Sequence, residues 1–268
     1  MATKKYICKV CGYIHNGDGA PETCPVCKVP ASEFVMEKPK GFMSDKNSNA
    51  YILTYATVMV VLVAAVLAFV ALSLKPLQAA NILNEKKSAI LTALSAADED
   101  YDSYITEFAI DTKGATVEGV NVIDLLSDLT ATYASGVLPV FQAADGRVVV
   151  PVTGTGLWGA IWGYVALEGD MNTISGIVID HAGETPGLGA EIATPKHQAM
   201  YVGKKIFEGN DFVSVSLIKG GASTSEPAAS HEVDAITGGT KTSDGVTAML
   251  STSLGAYVPF FEKVKSNK

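Results

Sequence analysis

The alternation of apolar and polar positions divides the chain into three stretches of different character. Residues 1–36 hold no long apolar run and are punctuated by Gly, Pro and Cys. From Tyr51 to Leu74 there are 24 residues without a charge, dominated by Val, Ala and Leu. At 1.5 Å per residue they make about 36 Å of helix, enough to cross a hydrocarbon core of about 30 Å with some tilt. A buried soluble helix would be shorter and would keep a polar stripe, so the run predicts a single membrane span. It is also too long for a cleaved signal peptide, and a segment with four cysteines precedes it; Gln78-Ala79-Ala80 is therefore not read as a cleavage site. Tyr51 and Tyr55 suit one interface and Lys75 the other.

Beyond the span, the period changes. Asn81–Ala97 has Ile82, Leu83, Ile90, Leu91 and Leu94 on one side, which predicts an amphipathic juxtamembrane helix. Strand patterns follow. Val137–Phe141 and Arg147–Val152 flank the turn pair Asp145-Gly146, and Trp158–Leu167 and Thr173–Asp180 flank Gly169-Asp170, giving two hairpins. Phe212–Ile218 alternates as one half-buried strand, and Pro195 after Thr194 marks a helix start. Val246, Met249, Leu250 and Leu254 recur at helical spacing near the C-terminus, with Thr242, Ser243 or Asp244 as the expected cap. The expected layout is 1–36 a small metal domain, 37–50 a linker containing Pro39 and Gly41, 51–74 the span, 75–100 a juxtamembrane helix, and 101–268 one α+β domain.

Composition sharpens this picture at two points. The formal charge is −8 and no basic cluster is present, which argues against nucleic acid as a partner. All four cysteines fall within the first 27 residues, as Cys8-x-x-Cys11 and Cys24-x-x-Cys27. Two such pairs can aim four thiolates at one ion in a tetrahedron, which fits iron or zinc. His15 stands outside that pattern. Lysines lie on both sides of the span, Lys38, Lys40 and Lys46 before it and Lys75, Lys86 and Lys87 after it. The positive-inside rule gives a near tie; the need of thiolates for a reducing compartment favours a cytoplasmic N-terminus.

Three glycine-rich stretches in the large domain look chemical. They are Gly156-Leu157-Trp158-Gly159, the turn Glu184-Thr185-Pro186-Gly187-Leu188-Gly189, and Thr237-Gly238-Gly239-Thr240-Lys241-Thr242-Ser243. The last leads into the C-terminal helix, where free backbone N–H groups and the positive end of the dipole can receive a phosphate, with Lys241 adding charge beside Thr240. Taken singly, each is equally an ordinary turn, a core tryptophan or a loop entering a surface helix. No Ser/His/Asp set, P-loop or dinucleotide fingerprint is visible, and His15, His181, His197 and His231 show no ligand spacing.

In this order and spacing, the three stretches resemble the FMN-binding domain shared by the C subunit of the sodium-translocating NADH:quinone reductase and the G subunit of the Rnf complex. The resemblance covers roughly residues 47–260, including the single preceding span. The family core is Ser-Gly-Ala-Thr-x-Thr-Ser; here Thr237 stands for the serine and Gly239 for the alanine. The resemblance implies that a separate flavin transferase esterifies the phosphate of FMN to the Thr240 hydroxyl. It further implies that Glu184, Thr185, Gly187, Leu188, Gly189 and Trp158, with Gly238, Gly239, Lys241, Thr242 and Ser243, shape the flavin site. The expected role is a membrane-anchored electron-transfer subunit of the sodium-pumping reductase. Its partners would be the other subunits, the transferase and membrane lipid. It would sit in a bacterial inner membrane with the N-terminus cytoplasmic and the FMN domain periplasmic. An Rnf G subunit and a non-pumping membrane flavoprotein are the alternatives. Separately, Tyr6–His15 and Ala20–Phe34 resemble the short rubredoxin-like domain of rubrerythrins, which implies one redox-active iron on Cys8, Cys11, Cys24 and Cys27, with structural zinc as the alternative. That knuckle is not part of the usual subunit, and an added one-electron relay or docking domain is its expected role.

Overall fold

A computed structural model describes residues 4–38 and 48–266. The linker predicted over 37–50 falls largely on residues 39–47, which lie outside the described residues, as do Lys40 and Lys46. The chain forms two compact units, Met1–Lys75 and Pro76–Lys268.

The first unit begins with a three-stranded antiparallel sheet in the order β2-β1-β3, formed by β1 (Lys4–Cys8), β2 (Ile14–Gly17) and β3 (Phe34–Met36). It supports two similar turns. Gly12 N–H donates to the Cys8 carbonyl and Lys28 N–H to the Cys24 carbonyl, each from a left-handed residue (φ +73° and +61°). Each turn therefore folds its Cys-x-x-Cys back on itself, glycine doing so without strain and Lys28 against its preference. The helix α1 (Asn49–Ala93) follows. Its apolar side chains are exposed, Leu53 at 73%, Phe69 at 72% and Leu72 at 71%, and it is long and apolar enough to cross a membrane. Thr57 and Ser73 return their hydroxyls to the carbonyls of Leu53 and Phe69, so these polar groups carry their own partners inside the apolar run.

The amphipathic helix expected over Asn81–Ala97 is the outward continuation of the span: α1 runs unbroken from Asn49 through Pro76 and stops at Ala93, four residues short of the expected end. Its end is fixed by a left-handed Ser95 (φ +52°) and by Arg147, whose guanidinium donates to the Leu94 carbonyl at 2.7 Å.

The second unit is built on a six-stranded antiparallel sheet in the order β5-β4-β6-β7-β8-β9. Its strands are β4 (Ile105–Ile110), β5 (Thr116–Val117), β6 (Leu138–Ala143), β7 (Val148–Thr155), β8 (Ala160–Leu167) and β9 (Ile174–His181). The one-turn helix α2 (Tyr101–Tyr104), capped by the Asp100 carboxylate, leads into β4. Between β5 and β6 lie the short helices α3 (Val122–Leu125) and α4 (Leu129–Ser135). As expected, Pro195 starts a short helix after β9, α5 (Pro195–Gln198), capped by the Thr194 hydroxyl. Both predicted hairpins form, with Gly146 at φ +90° in the first. In the second, Asp170 accepts from the N–H groups of Asn172 and Thr173. Helices cover both faces of the central strands, which is why β7 reads as a continuous apolar run rather than an alternation. Val148, Val150 and Val152 join one core cluster with Val246, Met249, Leu250 and Leu254 of the long helix α6 (Thr240–Ser266). Val149, Tyr164 and Ala166 join the other, with Ile90, Leu91 and Leu94 from the end of α1 and its exit.

The strand predicted over Phe212–Ile218 is broken in two. Asp211–Phe212 pairs with Phe207–Glu208, while Ser216–Ile218 pairs in parallel with Glu232–Asp234. The break is Ser214, left-handed at φ +61°; its N–H and that of Val213 both donate to the Ile206 carbonyl, so the chain turns about that oxygen.

Helix α5 buries His197, 3% exposed, with its Nε2 3.1 Å from the Tyr201 hydroxyl. Burial holds the imidazole neutral and lowers its pKa to about 4, with Asp234 opposing weakly. Between pH 6.5 and 4 the unfolded chain therefore binds a proton that the folded one refuses, and stability falls as pH falls through that window. From these two values, the domain should lose about 2 kcal/mol between neutral pH and pH 5. Urea unfolding of the wild type and of His197→Gln at pH 7 and pH 5 measures it; the same pH slope in both proteins would exclude His197 as its source.

Candidate functional site

The three glycine-rich stretches meet at one buried side chain. Glu184, 4% exposed, follows β9 in the turn that leads back towards α6. Its Oε1 accepts the Trp158 N–H at 2.8 Å and its Oε2 accepts the Thr242 hydroxyl at 2.6 Å. The N–H groups of Leu157 and Gly159 also point at the carboxylate. Burial alone would raise its pKa, but these donors outweigh burial and hold it below the usual carboxylate range. A buried anion that satisfies donors from two other segments acts as a clasp.

Glycine is required around this clasp by space rather than by flexibility. A Cβ on Gly156 would strike Glu184 Oε1, and one on Gly189 would strike both Glu184 Oε2 and the Thr242 hydroxyl. A Cβ on Gly245 would strike the Thr155 carbonyl, so the first turns of α6 lie directly on the end of β7. The His181 ring shapes the same turn by accepting the Glu184 N–H at 3.2 Å.

The start of α6 differs from expectation. Thr242, Ser243 and Asp244 do not cap it. The helix begins at Thr240, and the Gly239 carbonyl receives its first bond, from Ser243 N–H at 2.9 Å. Thr242 and Ser243, each 1% exposed, lie on the inner side of the first turn. The Ser243 hydroxyl donates to the Gly239 carbonyl and accepts the Ile236 N–H, both at 3.0 Å, which locks the preceding loop. Gly238 reaches φ +77°, and a Cβ there would lie 2.7 Å from Leu188; Gly239 is packed against Ile236. Lys241 stands exposed at the helix tip, and Thr240 is the residue that opens the helix there. The Lys241 ammonium lies 3.9 Å from Asp244, both side chains being well exposed, a surface pair of little energetic weight.

The residues expected to form the site thus fall into two groups. Glu184, Gly189, Gly239, Thr242 and Ser243 are buried and belong to the packed turns. Trp158 (69% exposed), Leu188 (42%), Thr185, Gly187, Gly238, Thr240 and Lys241 present themselves to solvent. Leu157, at 55%, adds to the exposed apolar surface and is a residue that the sequence pattern did not single out. Gly156, Gly159 and His181 act on the clasp through contacts that exist only in the folded chain, so no local signal marks their partners. Thr240 is thus exposed at the seam between the two groups, with buried Gly239 before it, exposed Lys241 after it and buried Thr242 and Ser243 beyond. The outcome is a helix tip carrying a hydroxyl and first-turn N–H groups that have no preceding turn to donate to. The Glu184 clasp joins it to a loop with an exposed tryptophan and leucine. A phosphate with an attached planar ring fits that chemistry.

The metal centre of the first unit is equally compact. The Sγ atoms of Cys8, Cys11, Cys24 and Cys27 all lie within 4.8 Å of one another, with Cys8 and Cys24 buried and Cys11 exposed. Burial opposes ionisation at Cys24 and Cys27 alike. At Cys24 the N–H groups of Cys27 and Val26 overcome it and bring the thiol down to about 6, whereas Cys27 is pushed up to about 12 by burial and its neighbouring sulfurs. Four thiols so close cannot all ionise without a cation between them, and a tetrahedral metal ion supplies that charge.

Comparison with known proteins agrees with both sites. Residues 156–255 match the FMN-binding domain model, and residues 6–35 match the rubrerythrin, rubredoxin-like domain model. The chain is therefore a flavin-domain protein with an N-terminal rubredoxin-like knuckle. It is 31% identical over 245 residues to the C subunit of the Na(+)-translocating NADH-quinone reductase of Pseudomonas aeruginosa, spanning 80% of this chain and 94% of the relative. The counterpart from Neisseria meningitidis serogroup B is 32% identical, with 85% and 98% covered. Among solved structures, the counterpart from Parabacteroides distasonis superposes with a TM-score of 0.63 at 39% identity, covering 70% of this chain and 96% of that one. NqrC of Shewanella oneidensis gives 0.61 at 28% identity, covering 70% and 99%. The chain belongs to the NqrC family, the C subunits of the Na(+)-translocating NADH-quinone reductase.

Removing the clasp strands several donors at once. Glu184→Ala should lower the unfolding free energy of the second unit by about 2–4 kcal/mol. Thr242→Val should cost about 1–2 kcal/mol. The double variant should cost less than the sum, because the two groups share one bond. Urea melts of the four proteins measure the cycle; strict additivity would show that the two side chains are not coupled.

Proposed function

We propose that this chain serves a bacterial sodium-translocating NADH:quinone reductase by carrying FMN esterified through its phosphate to Thr240, and that it relays electrons between partner subunits. The observation that supports this most directly is the position of Thr240. It is the exposed first residue of a 27-residue helix, reached through the left-handed Gly238 and followed within two residues by Thr242 of the Glu184 clasp. A separate transferase needs an acceptor hydroxyl at an accessible edge, and the phosphate ester would then rest on first-turn N–H groups at the positive end of the helix dipole. Gly238 and Gly239 let the backbone come close to the phosphate, and Lys241 adds charge beside it. Trp158 and Leu188, with Thr185 and Gly187, form the surface against which the flavin ring lies. When bound, the flavin supplies the redox chemistry; the chain supplies attachment, orientation and a charged clasp beneath.

In the same reading the four cysteines hold a single iron, with zinc as the alternative, and the knuckle acts as an added one-electron relay or docking domain. Helix α1 crosses the inner membrane once, with the knuckle in the cytoplasm and the flavin domain in the periplasm.

Denaturing gel electrophoresis tests the attachment. The wild type should show yellow-green flavin fluorescence that survives denaturation, and Thr240→Ala should show none; fluorescence persisting in Thr240→Ala would overturn the assignment. Metal analysis of the full chain tests the knuckle. About one iron per chain is expected from a four-thiolate site, lost with Cys11→Ser. Zinc alone, with turnover unchanged by the substitution, would remove the relay.

A further inference from the structure

A cavity of about 510 Å³ lies on the other face of the sheet from α6, between the face of α1 that carries Ile82, Glu85, Lys86 and Ala89 and the strands β8 and β9. Its volume is within the range of small-molecule pockets. The cross-strand row Thr153–Trp162–Asp180 and, beside it, the pair Tyr164–Val178 form its floor. The aromatic pair Trp162 and Tyr164 therefore sits side by side on one strand face, two residues apart.

Tyr164 is the telling residue. It is 6% exposed, and burial, with Glu85 adding to it, raises its pKa. Buried tyrosines ordinarily pair their hydroxyls, as Tyr133 does with the Pro151 carbonyl and Tyr257 with the Pro139 carbonyl. The Tyr164 hydroxyl has no hydrogen-bond partner among the described residues, and neither has the indole N–H of Trp162. Both residues line the cavity. Lys86 adds a third donor. Its ammonium is held at the wall by the Leu126 carbonyl at 2.8 Å, with hydrogens to spare.

The lining decides the class of occupant. The interior offers aromatic faces and unused donors, so it asks for a flat molecule with acceptors. Glu85, Asp128 and Asp180 against Lys86 leave the lining net negative, which disfavours an anion. A cation offers no acceptor to the three donors that line the cavity, the Tyr164 hydroxyl, the Trp162 indole N–H and the Lys86 ammonium. We propose that this cleft binds a neutral planar ring bearing hydrogen-bond-accepting carbonyls, with Tyr164 and Trp162 as its donors. Leu77 and Ile82, exposed at 62% and 52% on the helix leading to the cleft, give an apolar approach for such a molecule. The site is independent of flavin attachment at Thr240.

The chain's two tryptophans make the test direct, because Trp158→Phe leaves Trp162 as the sole reporter. Full-length Trp158→Phe protein in detergent is titrated with menadione, and with 2-methylnaphthalene as its carbonyl-free counterpart. Saturable quenching by menadione is expected, with the hydrocarbon binding more weakly. Tyr164→Phe, which keeps the ring and hence the packing, should weaken menadione about five- to tenfold through one lost hydrogen bond. Ala89→Phe should fill the cleft without adding a second reporter and abolish the saturable quenching of Trp162 by menadione, with circular dichroism confirming the fold. Quenching that rises linearly like that of free tryptophan in the same micelles, equal affinity for the hydrocarbon, or no change in Tyr164→Phe would overturn the proposal. So would tighter binding of Nα-acetylarginine amide, which would mark the cleft as a cation site. Unchanged titrations in Thr240→Ala are expected and separate this site from the flavin.

Discussion

The second unit depends on a buried negative charge. Placing a carboxylate at 4% exposure is costly unless its oxygens are occupied. The sequence answers with a hydroxyl from α6 and N–H groups from the loop before β8. That requirement propagates outward. Gly156 and Gly189 must lack side chains for the donors to reach the carboxylate, and Thr242 must face inward. With Thr242 and Ser243 turned in, helical geometry turns Thr240 and Lys241 out to solvent. The placement of Thr240 thus follows from the burial of its neighbours.

The two faces of the sheet divide the work. On one face α6 packs its apolar stripe and presents Thr240 at its tip; on the other, the end of α1 packs against the strands. Arg147 fastens that second junction by reaching from the β6–β7 hairpin to the carbonyl just past the helix, with Asp145 and Tyr104 holding the guanidinium. A Cβ at Gly176 would strike the Ala93 carbonyl, so the helix end lies almost on β9. One to three turns earlier along the helix, from Ala89 back to Ile82, the contact loosens and the cleft lined by Tyr164 opens.

The first unit reaches order by different means. Its sheet is small and much of its apolar surface, Val10 and Val26 among it, is exposed. A segment of this size has little core to stabilise it. The four thiols supply the missing constraint, because a metal ion joins the two turns and relieves their shared reluctance to ionise.

The sequence by itself determined the features that have a local period or a fixed spacing. The uncharged run from Tyr51, the Cys-x-x-Cys pairs and the Asp145-Gly146 and Gly169-Asp170 hairpins were all legible, because each depends on neighbours a few residues away. The glycine-rich stretches could be found, and their resemblance to the flavin domain pointed to the family, but their division of labour could not. That Glu184, Thr242 and Ser243 are buried while Trp158 and Leu188 are exposed depends on contacts far along the chain, such as the bond between Glu184 and Thr242, 58 residues apart. The alternation of Phe212–Ile218 likewise promised one strand, and only the distant Ile206 carbonyl, which gathers the N–H groups of Val213 and Ser214, broke it. The start of α6 moved back from Thr242 to Gly239 for the same reason: a hydroxyl with a buried carboxylate in reach bonds to that charge rather than to its own backbone. Pattern decided which segments exist; tertiary contact decided which of their side chains face inward and which are left free to act.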